Sequence, residues 1–211
     1  MYQLAKKYYK AGLMPIPVNP VNKLRELTDE FGNTTFVGHY KNPRVERWNY
    51  QKMSKIFKKA KGLAIVCGVP SGGLEVLDLE GKFSVNGMLL QNLKARVISR
   101  LGVEFWDSLV VQETQHRGWH IFYKCPGIVN QKVNNRLGLW RSKVVATNRF
   151  GKCLIETRSN PSYAIISPSP GYRLIQGNYA SIPTITNQQY FVIHEVCREI
   201  HVAEQRLRVM V

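Results

Sequence analysis

Asp78 and Glu80 stand one residue apart at the end of an apolar run, in the stretch Leu63–Gly81, LAIVCGVPSGGLEVLDLEG. Alternate side chains of an extended strand share a face, so the two carboxylates lie together while Leu77 and Leu79 point the other way. Two anions side by side repel unless a cation sits between them, and hard oxygen ligands suit Mg2+ or Mn2+. Two later segments carry candidates with the same alternation: His120 shares a face with Phe122, and Glu156 with Arg158. The opposite positions, Leu77, Leu79, Ile121 and Ile155, are apolar. A sheet with an apolar back and a front of three acids, a histidine and an arginine is costly as structure alone. It suits metal-bound phosphate, with carboxylates holding the ion and Arg158 and His120 meeting a triphosphate. Periodicity leaves a competing reading, in which the strands pair otherwise and these groups are merely solvated.

Positioning these residues requires a sizeable frame, and 211 residues suffice for one large domain, or a domain with an appendage. Thirty Lys and Arg against fourteen Asp and Glu leave a net charge of +16, which calls for a polyanionic partner, nucleic acid before an anionic membrane surface. No apolar run approaches a membrane span, and the lysine-bearing N-terminus is not a signal peptide. Four scattered cysteines without CxxC pairs predict a reduced, intracellular (cytoplasmic) chain.

The pattern predicts an α+β fold. Helices are expected over 3–11 and over 45–60, the second with a basic outer face. The Pro-rich segment after Gly12 must be extended, and residues 23–43 form a polar surface excursion. Leu63–Cys67 and Leu74–Leu79 read as a hairpin about Pro70–Gly73. A helix over 84–101 buries Met88, Leu89, Leu93, Val97 and Leu101. Strands follow at Leu109–Glu113 and Trp119–Tyr123, around a tight turn at Arg117-Gly118, and then at Cys153–Arg158, Tyr163–Ile166 and Tyr172–Ile175. Between them, residues 126–151 are basic and irregular, and Lys132, Arg136, Arg141 and Lys143 are candidates to grip nucleic acid. The last helix, 187–211, turns Phe191, Val192, Val196, Ile200 and Leu207 to one side and leads toward a further module or partner. Its His194, Cys197 and His201 share a face that could hold zinc, although a core position for Cys197 is the simpler reading.

Taken in order, these residues resemble a known family. Ala5, Tyr8, Gly12, Ile16 and Pro17 come first, then the Gly68–Gly81 block. Thr114, Gly118, His120 and Phe122-Tyr123 follow, and Glu156, Arg158, Ser167-Pro168-Ser169 and Tyr172 complete the set. The ordered set, over residues 4–175, resembles the bifunctional DNA primase/polymerase (Prim-Pol) domain of the archaeo-eukaryotic primase superfamily. The resemblance implies a primase-like core, a mostly antiparallel or mixed sheet with helices on one face, within residues 1–176. Residues 177–211 would then be a connector and C-terminal helical extension. It implies a template-dependent nucleotidyltransferase, a DNA primase or polymerase acting by two-metal phosphoryl transfer. Asp78, Glu80 and Glu156 would be the catalytic metal ligands for Mg2+ or Mn2+, and His120 and Arg158, with Ser167 or Ser169, would bind nucleotide. The implied partners are single-stranded or primed DNA, nucleoside triphosphates and a replicative helicase, in the setting of a plasmid, phage or mobile element. The chain departs from the family pattern at Arg117, where a first glycine is usual, and at Glu156, where Asp is commoner. It also lacks a zinc-binding cysteine cluster. The alternatives are a metal-dependent nuclease, for which Glu80-Gly81-Lys82 supplies an E-x-K, and a non-catalytic single-strand binder.

Overall fold

The computed structural model describes residues 1–21, 23–28, 34–36, 48–84, 87–129, 142–160 and 162–206. In chain order the elements are α1 (Tyr2–Lys10), β1 (Met14–Asn19), β2 (Leu24–Thr28), β3 (Thr34–Phe36), α2 (Tyr50–Lys58), β4 (Gly62–Val66) and β5 (Leu74–Leu79). Then come α3 (Leu89–Leu101), α4 (Val103–Ser108), β6 (Val110–Glu113), β7 (Trp119–Lys124), α5 (Pro126–Val129), β8 (Val144–Thr147), β9 (Cys153–Arg158), β10 (Tyr163–Ile166), β11 (Arg173–Gln176) and α6 (Asn187–Arg206). The fold is α+β, and its strands separate into two antiparallel sheets, ordered β10-β4-β1-β2-β3 and β11-β6-β7-β5-β9-β8.

The expected hairpin of Leu63–Cys67 and Leu74–Leu79 does not form. β4 lies between β1 and β10 in the first sheet, whereas β5 lies between β7 and β9 in the second. The turn between them permits one bridging pair, Gly68 with Leu74. Gly68, Gly72 and Gly73 all take positive φ, at 79°, 70° and 82°, and rotate the chain out of the first sheet into the second. Every residue of both strands is buried, and β5 carries Glu75 and Asp78 among its apolar positions.

Alternation along β5 divides two cores. Leu74 and Val76 belong to the core shared with the first sheet, α1 and α2. Leu77 and Leu79 belong to the core behind the second sheet, with α3, α4 and α6. Asp78 continues the Leu74–Val76 side, so it faces the first sheet. In α6 the inward stripe is Tyr190, Ile193, His194, Val196, Cys197 and Ile200, while Phe191 is exposed. Of the expected stripe, Val196 and Ile200 are buried, Phe191 is exposed, Val192 is half-buried, and Leu207 lies outside the described residues. α3 starts at Leu89 rather than Ser84, leaving Met88 exposed before its first turn. α4 had no counterpart in the periodicity.

Candidate active site

The strand register brings the acids, the histidine and the arginine together. Asp78 of β5 is paired with His120 on β7 and with Glu156 on β9. Val76, one step back on the same face, is paired with Arg158. Residues directly opposite in adjacent strands have neighbouring side chains, so Asp78 lies in a row with His120 and Glu156. Arg158 reaches across to Asp78 Oδ2, with Nη2 at 2.8 Å and Nε at 3.1 Å, and its Nη2 also contacts Glu156 Oε1. His120 Nε2 faces Asp78 Oδ1 at 3.5 Å.

The two carboxylates respond in opposite directions. Burial pushes Asp78 up, but His120 and Arg158 beside it win and hold it well below the usual carboxylate range. For Glu156, burial dominates, and the neighbouring Asp78 and Glu80 add to it against Arg158, so its carboxyl is raised. Burial works against the Arg158 charge, yet Asp78 and Glu156 together raise its pKa and keep it firmly cationic.

Gln112, which sequence reasoning passed over, organises His120. It pairs with His120 across β6 and β7 and is wholly buried. Its amide nitrogen donates to Ile165 O at 2.7 Å and lies 2.7 Å from His120 Nδ1. Its amide oxygen accepts from Ser167 N and from the Tyr179 hydroxyl. With that oxygen taken by two donors, the nitrogen must be the donor to Nδ1, which leaves the imidazole hydrogen on Nε2, facing Asp78. A polar residue on the front side of an apolar strand, two residues before Thr114, was the available signal.

The site opens into a cavity of about 210 Å³ between the two sheets. Asp78, His120 and Arg158 line it from the second sheet, Tyr163, Ala164 and Ile165 from the first, with Lys23 and Tyr172 closing it. Burial, aided by the Asp78 charge, pushes the Tyr172 phenol up to about 12, so it remains a donor at neutral pH. Tyr172 also stands beside the His120 ring, at 6.1 Å between centroids.

Of the other expected residues, Glu80 is near enough to act on Glu156, and the rest lie away from this row. Glu80 follows the last residue of β5, with its amide bonded to Leu154 O and its carboxylate 3.3 Å from Lys82 Nζ. Ser167 presents its amide to Gln112. Ser169 is buried, and its hydroxyl accepts from Leu63 N and donates to Leu63 O, so it straps β4 rather than facing the cavity. Lys143 caps the start of β8 and lies within electrostatic reach of Glu75 and Arg198, on the side that α6 covers. Lys132, Arg136 and Arg141 lie outside the described residues. No zinc site forms on α6: His194 is bonded to Glu75, Cys197 is core, and His201 is bonded to Thr147.

The matching family is that of the bifunctional DNA primase/polymerase, N-terminal (Prim-Pol), over residues 5–187. This chain belongs to the Prim-Pol family. Comparison with curated proteins gives no match. The Prim-Pol match takes in every strand of both sheets and ends where α6 begins. Even so, α6 supplies part of the core behind the site. Its His194 Nε2 lies 3.0 Å from Glu75 on β5, a wholly buried carboxylate that also accepts from Tyr123 and Ser159. The family implies DNA template and nucleotide substrates, and no helix among the described residues is long and apolar enough to cross a membrane.

A divalent ion fits the donor chemistry, though not the arrangement as it stands. Among the described residues no group of three or more His, Cys, Asp or Glu could hold a metal ion, and Arg158 bridges Asp78 and Glu156. Burial, with Asp78 and Glu80 adding to it, raises Glu156, and a cation beside it would favour its ionised form.

Proposed function

We propose that this domain joins nucleotides on a DNA template, as a primase, a polymerase or both, at the cleft holding Asp78. The observation that carries the reading is the register pairing Asp78 with His120 on one side and Glu156 on the other. Asp78, Glu80 and Glu156 would hold one or two Mg2+ or Mn2+ ions, which when bound would neutralise triphosphate charge and activate the attacking hydroxyl. Arg158, released from one of its two carboxylates, offers a planar pair of donors to phosphate. His120 presents Nε2–H into the cleft, held in that tautomer by Gln112. Tyr172 adds a neutral hydroxyl donor, and Lys23 a positive group at the cavity edge. Asp78, His120, Glu156 and Arg158 are preset on strands, so the chain's contribution is positioning and charge complementarity on an in-line displacement.

The test is primer synthesis and primer extension on a single-stranded template, with separate ribo- and deoxynucleotide pools and Mg2+ or Mn2+. Asp78→Ala with Glu80→Ala is expected to abolish product while DNA binding persists. Product from the double variant would overturn the assignment. Cleavage of labelled DNA with Mn2+ and no nucleotide would favour a nuclease instead.

A further inference from the structure

Three turns meet at the end of the second sheet where Glu80 emerges. The carbonyl of Arg117 lies so close to Gly81 that a Cβ there would stand 1.9 Å from it. Asn148 Nδ2 donates to Phe83 O at 3.1 Å and pins the β8–β9 turn to the same 81–83 segment. Asn148 is buried, and its Oδ1 accepts from the amides of Phe150 and Lys152. From α6, Gln205 donates to Thr147 O and Asn148 O. A turn tied down this way holds Phe150 in one place, and there the residue is 68% exposed. Each of the three turns carries at least one cation. Arg149 lies over the Phe150 ring at 4.7 Å, Lys82 over the Phe83 ring at 4.8 Å, and Lys152 and Arg117 are exposed. Arg117 takes a left-handed φ of 58°, a position usually left to glycine, and so places a guanidinium where a glycine would offer none.

We propose that this rim, at the Glu80 end of the second sheet, binds single-stranded nucleic acid, with Phe150 stacking on a base and Arg149, Lys152, Lys82 and Arg117 meeting phosphates. A projecting ring needs an unstacked base, because a duplex covers the faces of its bases. The net charge of +16 supplies the long-range attraction. The inference rests on the nucleotidyltransferase reading, for which this strand would be the template or primer end, but its test is binding alone.

Anisotropy of a labelled oligothymidylate and of a labelled duplex, without metal or nucleotide, decides the matter. Phe150→Ala is expected to weaken single-strand binding about tenfold, the effect of losing roughly one stacked base. Phe150→Trp should retain binding, and duplex affinity should hold for both variants. Removing Arg117 and Lys152 together, as R117Q/K152Q, should reduce the slope of log K against log salt by about 1.4, roughly 0.7 for each lost phosphate contact. Single-strand affinity unchanged in Phe150→Ala, or equal losses on single strand and duplex, would overturn the inference. Melting curves matching the parent protein keep the comparison clean, since Phe150 is exposed. Should Phe150→Ala bind normally while the Asp78/Glu80 double variant loses extension, only the rim fails and the catalytic reading stands.

Discussion

Asp78 and Glu156 are paired directly across β5 and β9 and share Arg158, yet one carboxyl is pushed down and the other up. The asymmetry follows from surroundings: His120 and Arg158 both bond Asp78 and outweigh its burial, whereas for Glu156 burial, with Asp78 and Glu80 adding to it, outweighs Arg158 and the more distant His120. One acid of the pair is thus held firmly ionised, while burial disfavours the charge of the other.

The two acids should therefore affect stability with opposite signs. Asp78, whose folded pKa is depressed, contributes stability above the ordinary Asp value, lost as pH falls through the lower folded value. Asp78→Asn should cost about 2–3 kcal/mol at pH 7, because it leaves Arg158 short of a buried partner. Glu156, whose folded pKa is raised, favours folding while protonated, below the ordinary Glu value, and loses that contribution as pH rises through the raised one. Glu156→Gln should then hold or raise the melting temperature at pH 7, by about 1–3 °C. Thermal melts of the two variants check the signs, and both should fail in primer extension.

Without metal, the Glu156 carboxyl should titrate above the ordinary glutamate range, and a bound cation should pull it down, because a ligand carboxylate must be ionised. NMR titration of this carboxyl with and without Mg2+ measures both values. A value unmoved by Mg2+ would contradict the role given to this carboxylate.

Gln112→Leu should separate positioning from folding. It removes the partner of His120 Nδ1 and strands Ser167 N and the Tyr179 hydroxyl. We expect a loss of about 2–3 kcal/mol of stability and a rise of about tenfold in KM for nucleotide as the imidazole loses its fixed tautomer. Steady-state kinetics below the variant's melting temperature measure the second effect.

Gly81→Ala should be strongly destabilising, by more than about 3 kcal/mol, because its Cβ would meet the Arg117 carbonyl, a backbone atom. Gly118→Ala meets the Leu79 carbonyl at 2.4 Å and should behave alike. Chemical denaturation of both variants tests whether these turns must interlock at the Glu80 end.

The helix beyond the family match should prove indispensable. A chain ending at residue 187 would expose Leu77, Ile121 and Tyr123 where α6 covers them and leave Glu75 without His194. Circular dichroism of that shortened chain should show no cooperative melt. His194→Leu in the full chain should lower stability by about 2–3 kcal/mol, since Tyr123 and Ser159 still bond the carboxylate.

Much of the site was legible in residue order. Period-two alternation alone put Asp78, His120, Glu156 and Arg158 each on the face opposite an apolar partner, because strand geometry leaves a side chain only two directions. The bounds of β9 and β10 could be read from Cys153–Arg158 and Tyr163–Ile166, short β-branched runs between turn residues. Alternation carries no information about which strand lies beside which. That β5 joins β7 and β9, while β4 joins β1 and β10, was decided by burial of both strands on both faces and by the left-handed glycines at 68, 72 and 73. Tertiary packing also assigned Ser169 to Leu63, Gln112 to His120, and His194 to Glu75. Each of those contacts joins side chains or backbone from separate elements, and a buried polar group must find its partner in whatever the fold brings near it. The residue types that could do chemistry were present in the sequence; their convergence on one cleft was settled by sheet register.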